Sequence, residues 1–382
     1  MQNIPKVILV IESSSAFGRR LLVGITKYAR IHGPWAFYST QDGIQSNLPK
    51  LRGPEADGII MYEASGFRKL INLGKPYVLI TQNPADYPEH PTIKTDSKSI
   101  SKAAANHLIS RGLRNFAYCG FDDINWSMER GKYFQEILNS QGYNVFAFNE
   151  SSHLSKNKSE SEQKRLIEWL NKLPKPIGIM ACNDNRGQHI VEACKIAGIQ
   201  IPEDVSVIGV DNDDLICELC DPPLSSIVLD SESAGYEAAK MLHDSMNKIK
   251  FEPRVWVIKP TYIKVRNSTD IIATQDKELV KAINFIKQNF SKNIQVEDVV
   301  DSTTLSRRSL ELRFREKLRR TINAEIRRVR VEHISKLLIE TNLSISEIAY
   351  SLGFSSVEHI SRYFQREIGK SPREFRKVHL VK

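Results

Sequence analysis

The sequence predicts an α/β domain of parallel sheets over residues 1–268, a polar linker at 269–276 and an all-α domain over 277–382. Three observations lead there. From residue 6 to about 265, short apolar β-rich runs alternate with helix-length amphipathic stretches. Beyond the polar stretch that starts at Arg266, the β-rich runs stop and every hydrophobic pattern has a helical period. The charge divides at the same place: residues 276–382 carry 22 basic and 14 acidic side chains, a net of +8, while the rest of the chain nets +1. A chain of 382 residues, 41% hydrophobic and 26% charged, can bury sizeable cores in two or three domains. A near-neutral body with a basic C-terminal part points to nucleic acid, with unspecific surface charge as the plain alternative.

The first apolar run, Val7–Ile11, reads as a strand, because Glu12 ends it and no small-residue cleavage site follows. Ala36–Tyr38, Gly58–Met61, Tyr77–Ile80, Phe116–Cys119, Val145–Phe148, Gly178–Ala181 and Val205–Val210 are the further strands. Helical periods such as Ile100-Ala104-Leu108 and Phe134-Leu138 lie between several of them. Continuous apolar strands separated by helices imply parallel sheets covered on both faces. No run approaches the roughly 20 apolar residues of a membrane span, so a cytoplasmic protein with no membrane partner is expected. Cysteines 119, 182, 194, 217 and 220 are odd in number and scattered, as in a reducing compartment. Cys217 and Cys220 have metal or redox spacing but no second pair and no nearby histidine, so they read as ordinary thiols. Gly33, Gly43, Gly53 and Gly58 are too sparse for a phosphate cradle. With no Walker A loop, nucleophile elbow or paired metal motif, neither catalysis nor a cofactor is expected.

Ligands on open parallel sheets bind beyond the carboxyl ends of the strands. Three post-strand segments qualify: Ala181-Cys182-Asn183-Asp184, Gly209-Val210-Asp211-Asn212-Asp213-Asp214, and Gly120-Phe121-Asp122-Asp123-Ile124-Asn125-Trp126 leading to Arg130. Carboxylate, amide, guanidinium and an aromatic face together suit a polyhydroxylated ligand. From spacing alone, Asp184 equally suits a helix cap and Asp211–Asp214 a turn. The stretch Ile199 to Asn212, then Pro222-Pro223-Leu224-Ser225-Ser226-Ile227, closely resembles the effector domains of LacI/GalR-type repressors and the related ribose-binding proteins. Asn183-Asp184, and Gly235 before Ala238-Ala239, also fall where that family has its motifs. The resemblance covers roughly residues 6–265 and implies a periplasmic-binding-protein-like domain of two lobes joined by crossover strands, with a sugar in the cleft. By position, Asn183, Asp211 and Arg130 match the family's ligand-binding residues, with Asp184 beside them. Gln82 stands where many members carry arginine, and Phe17 and Trp126 are the candidate apolar walls, Trp126 equally suiting the core.

In the C-terminal part, Lys277–Asn289 makes the first helix, and an internal duplication follows. Val296, Val299, Leu305, Leu310 and Phe314 are echoed by Ile345, Ile348, Phe354, Ile360 and Phe364, 49 residues on before the turn and 50 after it. Each copy is a short helix, a tight turn and a longer basic helix, the outline of a helix-turn-helix. Ala349 is the small residue at the helix crossing, and Gly353 permits the second turn. Ile322, Ile326, Val329, His333, Ile334 and Leu337 trace the buried face of a long connecting helix, with His333 in a core or boundary role. A basic helical bundle that binds protein is the rival reading. Ser344-Ile345-Ser346-Glu347-Ile348-Ala349, Gly353-Phe354, Ser361-Arg362-Tyr363-Phe364 and Gly369-Lys370-Ser371-Pro372-Arg373-Glu374-Phe375-Arg376 closely resemble the signature of AraC-type regulators. The first copy departs at Ser302-Thr303-Thr304, and Thr304 predicts a less tight first turn.

Helical phase then places the DNA contacts. With Leu310 and Phe314 inward, Arg307, Arg308, Glu311 and Arg315 point away; with Ile360 and Phe364 inward, Glu358, His359, Arg362 and Arg366 do. Arginine can bind guanine bidentately, glutamate can accept from cytosine, and an arginine at a helix end can grip only phosphate. Glu358 has a rival role in a capping box with Ser355. Leu312, at the counterpart of Arg362, offers only apolar contact to a thymine methyl. A sugar-binding lobe pair ahead of an AraC-type reader resembles bacterial xylose-operon activators, and Glu12 to Arg19 and Trp126, Glu129 and Arg130 fit locally. That resemblance implies a homodimeric activator on tandem half-sites of double-stranded promoter DNA, with RNA polymerase as partner and a pentose, xylose, as small effector. A repressor or a regulator of another sugar, a sugar-transport binding protein and a sugar-processing enzyme are the alternatives.

Overall fold

The computed structural model describes residues 4–39, 56–63, 67–151, 160–249, 255–271 and 276–379. Gly43 and Gly53, and 272–275 of the expected linker, lie outside them. The chain divides into two compact units, Met1–Leu108 with Leu113–Ile271, and Ile272–Lys382 with Ile109–Gly112.

The first unit holds two six-stranded sheets. One is ordered β11-β5-β4-β3-β1-β2, from Val255–Ile258, Thr92–Thr95, Tyr77–Ile80, Gly58–Tyr62, Lys6–Val10 and Ala36–Ser39. The other is ordered β12-β10-β9-β8-β6-β7, from Pro260–Lys264, Ser225–Leu229, Val205–Val210, Ile177–Ala181, Asn115–Phe121 and Val145–Glu150. Every pairing is parallel except β10 with β12. The strands alternate with helices α1 (Ala16–His32), α2 (Arg68–Ile71), α3 (Ser97–Ser110), α4 (Asn125–Asn139), α5 (Glu160–Lys172), α6 (Asp184–Ala197), α7 (Asp214–Leu219) and α8 (Ser231–Met246). The chain passes from the first sheet to the second after α3, returns through α8, and crosses again between β11 and β12, which makes the two expected lobes. Strands β8 and β9 are buried along their whole length, as strands covered on both faces must be.

All eight strands expected from apolar runs are present, and four more join them. β5 reads Thr-Ile-Lys-Thr, too polar to announce itself. The edge strand β11 leaves Val255, Trp256 and Val257 exposed, so no inward alternation marks it. In the first lobe α1 packs against α8 at closest approach through two glycines. A Cβ on Gly24 would fall 2.0 Å from the Glu232 carbonyl oxygen, and one on Gly235 equally near that of Leu21. Only glycine lets two backbones approach so closely, and the contact fixes where the N-terminus of α1 points. The polar run from Arg266 is not all linker. Ser268 and Thr269 are fully buried, Ser268 Oγ donates to the Val207 carbonyl at 2.6 Å, and the Thr269 and Ser225 hydroxyls lie 2.7 Å apart. Their hydroxyls are spent on satisfying backbone and side chains of the second lobe, so polarity there marks a seam.

The second unit is helical: α9 (Lys277–Gln288), α10 (Val296–Asp301), α11 (Arg307–Leu318), α12 (Ile322–Glu340), α13 (Ile345–Ser351), α14 (Val357–Ile368) and α15 (Pro372–His379). The duplication extends to the caps. Ser306 and Ser356 cap the two longer helices, each accepting the N–H of the residue three places on. The expected pairing of Ser355 with Glu358 as a capping box is thereby corrected: the helix starts one residue later, on Ser356. Gly353 has φ +69°, the left-handed conformation the second turn requires. The first turn is not loose, because Thr304 donates its N–H and its hydroxyl to Glu278 at 2.7 and 2.9 Å. On α12, Leu338 is buried where Leu337 was expected, and His333 stacks on Phe290 with centroids 3.5 Å apart. Among the described residues no helix is long and apolar enough to cross a membrane.

Candidate functional site

The loop after β9 carries the densest polar chemistry. Asp211 and Asn212 both adopt positive φ, 100° and 50°, which turns them sharply off the strand end. The Asp211 N–H still donates to the Ile227 carbonyl at 2.9 Å, but its Oδ1 is buried with no protein partner. Asn212, 2% exposed, donates its N–H to Ser226 Oγ at 3.0 Å, and its Oδ1 is likewise unpaired. Arg130 on α4 is 3% exposed; it donates to the Cys182 carbonyl at 2.5 Å and lies 4.9 Å over the Trp126 ring, with Nε unpaired. In the first lobe, Gln82 follows β4, donates its amide to Thr95 Oγ1, and keeps Oε1 buried and unpaired. A buried polar atom without a partner costs roughly 1–3 kcal/mol, and four such atoms belong to these residues at strand ends and on α4.

The electrostatics tie both lobes to that place. Burial pushes the Asp211 carboxyl above the usual aspartate range, while Arg130 and Arg20 pull it back. Burial also raises the Tyr62 phenol well above its ordinary range, with Asp211 and Glu12 adding to the effect. Tyr62 ends β3 and stacks on Phe17 at 6.2 Å. Two arginines from the start of α1 bridge the lobes: Arg19 pairs with Asp213 at 2.6 Å, and Arg20 donates to the Asn212 carbonyl at 3.3 Å.

Of the sequence-predicted residues, Asp211 lies within electrostatic reach of Arg130 and of Tyr62, on which Phe17 stacks, Trp126 lies beside Arg130, and Gln82 follows the end of β4. Trp126 is half-buried and meets Phe121 edge-on at 6.4 Å. Asn183 caps α6 by accepting the Arg186 N–H at 2.9 Å, which leaves its amide N–H groups to offer. Asp184 has its carboxylate engaged within the protein. It is 2% exposed, and both carboxylate oxygens are taken, by the Ser226 hydroxyl at 2.5 Å and the Asp213 N–H at 2.6 Å. It supports the loop after β9 from beneath. Tyr62 and Arg20 were not singled out from the sequence, although Tyr62 ends β3 and Arg20 lies near the start of α1. Cys217 and Cys220 are buried free thiols. A depression of about 480 Å³ lined by Gly24, Lys27, Glu232, Tyr236 and Trp256 shares no residue with the cleft and gathers no unpaired buried atom.

The second candidate surface is the pair of longer helices in the duplicated unit. On α11, Leu310, Phe314 and Leu318 are buried, and Arg308, Leu312 and Arg315 are exposed. Arg307 is exposed too, but it bonds Glu311 at 3.0 Å and also pairs with Glu297. The two polar residues Arg307 and Glu311 therefore face each other along the helix flank. On α14, Glu358, His359, Arg362 and Arg366 are all exposed above buried Ile360 and Phe364. A hydrogen bond from Ser356 holds the Glu358 carboxyl below the usual range. Arg366 bonds Glu367 at 3.2 Å and His359 sits 3.2 Å from Ser355 Oγ. Beneath them Arg330 stacks 4.5 Å from the Phe354 ring and donates to the Leu352 carbonyl at 2.9 Å, which anchors the second turn.

Residues 105–269 match the periplasmic binding protein-like domain family, and residues 299–378 match a helix-turn-helix domain family. The xylose operon regulatory protein of Haemophilus influenzae is 30% identical over 379 residues, covering 97% of this chain and 98% of that protein. Its counterpart in Escherichia coli strain K12 is 28% identical over 386 residues, covering 98% and 97%. The solved structure of a xylose-binding transcription activator covers 100% of both chains, with a TM-score of 0.62 and 27% identity. These relatives are transcription regulators rather than enzymes. With a sugar-binding type of effector domain in front of a DNA-binding helix-turn-helix domain, this chain belongs to the family of the xylose operon regulatory proteins.

Proposed function

We propose that this chain is a xylose-responsive activator of pentose-use genes, working as a homodimer in the cytoplasm on promoter DNA beside RNA polymerase. The observation that carries the effector half is the set of unpaired buried atoms, Asp211 Oδ1, Arg130 Nε, Asn212 Oδ1 and Gln82 Oε1. A pentose has the vicinal hydroxyls to satisfy them, each hydroxyl being both donor and acceptor. Asn183 supplies further donors, and Phe17 and Trp126 cover the apolar faces of the ring. Because these groups come from both lobes, a bound sugar adds to the bridges that Arg19 and Arg20 already make and favours the bridged arrangement. The effector thereby shifts a population toward the DNA-binding form by its differential affinity.

The DNA half rests on Arg308, Arg315, Glu358, His359, Arg362 and Arg366, with Arg307 and Glu311 shaping the flank of α11. Titration calorimetry with D-xylose, alongside a panel of other pentoses and hexoses, tests the effector. D-xylose should bind with a stoichiometry of one per chain and tighten the gel shift of promoter DNA. Heat from another sugar alone replaces the effector; no heat from any sugar removes the reading of the cleft.

A further inference from the structure

Leu312 is 55% exposed in the middle of the solvent-facing ridge of α11. Two residues of helix carry it about 200° round from Leu310, opposite the buried side of Leu310, Phe314 and Leu318. Exposed Arg308 lies one turn before it, and exposed Arg315 and Arg319 lie in the turns after it. One exposed leucine is ordinary on a protein surface. This one occupies the place that Arg362 holds in the second copy, 50 residues on, at the centre of the helix that should meet base edges. Its polar neighbours on the flank, Arg307 and Glu311, are paired with each other and with Glu297. What remains at the centre of α11 is an apolar side chain flanked by Arg308 on one side and by Arg315 and Glu316 on the other.

The apolar group on a base edge in the major groove is the thymine methyl. We infer that Leu312 reads a thymine methyl, with Arg308 and Arg315 gripping the flanking phosphates. The copies differ in charge as well: Arg308 corresponds to Glu358, and Glu316 to Arg366. A DNA segment suited to α14, with a guanine opposite Arg362, is therefore mismatched to α11. This inference rests on the DNA-binding reading of these helices given above.

The test uses the full chain and a pool of randomised duplexes, selected with and without D-xylose. In the selected duplex each thymine is replaced singly by deoxyuridine, which removes one methyl group. The native chain should lose about threefold to fourfold in affinity at one thymine, the worth of one buried methyl. Leu312→Ala should bind more weakly and be indifferent to that replacement, and Leu312→Arg should select guanine there. The inference alone is overturned when no thymine methyl affects the native chain, or when Leu312→Ala keeps the native sensitivity. A chain that selects no sequence at all overturns the DNA-binding reading and the inference with it.

Discussion

The cleft and the reading helices both gather polar side chains, yet they keep them in opposite states. In the first unit, Asp211, Asn212, Arg130 and Gln82 bury atoms that no group among the described residues satisfies. On α11 and α14 the charged groups stand in solvent, and several are paired with a neighbour on the same helix, as Arg307 is with Glu311 and Arg366 with Glu367. The difference reflects the partner. A small ligand has few atoms, so each contact has to be strong, and desolvated donors and acceptors provide that. DNA presents a long row of phosphates, so many solvated contacts suffice, and their sum depends on salt.

The comparison breaks most readily at Asp211. Asp211→Ala removes a charged acceptor worth roughly 1.5–3 kcal/mol per hydrogen bond, so calorimetry should detect no sugar binding and gel shifts should lose only the sugar-induced part. A mutant that still responds to sugar takes Asp211 out of the site. Burial raises this carboxyl's pKa, so sugar affinity should already fall at pH values where a free aspartate remains ionised.

Asp184 tests the support under that loop. Asp184→Ala strands the Asp213 N–H and the Ser226 hydroxyl, each at a cost of roughly 1–3 kcal/mol, and urea unfolding of the effector transition should show it. An unchanged midpoint would return Asp184 to the list of ligand contacts.

On the DNA side the effects are smaller. Arg362→Ala should weaken binding to the selected duplex by roughly 1–3 kcal/mol and relax preference at one base pair, leaving sugar binding intact; an unchanged footprinting titration sinks the assignment. Arg366→Ala should weaken all duplexes alike and lower the salt slope by about 1. A base-selective loss there would rotate the reading face of α14.

The sequence made much of this legible, for uneven reasons. Covered parallel strands such as β8 and β9 are buried throughout and almost wholly apolar, Ser206 being the polar residue of β9, and such a run of five or six residues is hard to misread. The duplication was readable because both copies must bury the same helix faces, down to Ser306 and Ser356 at the caps. Asp211 and Arg130 could be named from position, but Asp184 could not be separated from them. A carboxylate that supports a loop and one that faces a ligand look alike until their partners are known. Tyr62 and Arg20 stayed hidden because their roles depend on the far lobe, which no local pattern describes.

The backbone at Asp211 and Asn212 also bears on how this domain can acquire a taste for other sugars. Both residues hold positive φ without being glycine, a conformation that aspartate, asparagine and glycine tolerate and that β-branched or bulky side chains resist. Natural variation and laboratory libraries alike have a short alphabet at these two places. On the proposed reading of the cleft, altered preference is then written mainly at Phe17, Gln82 and Trp126, where the backbone sets no such restriction. Such a receptor would diversify by reshaping its pocket around a conserved grip.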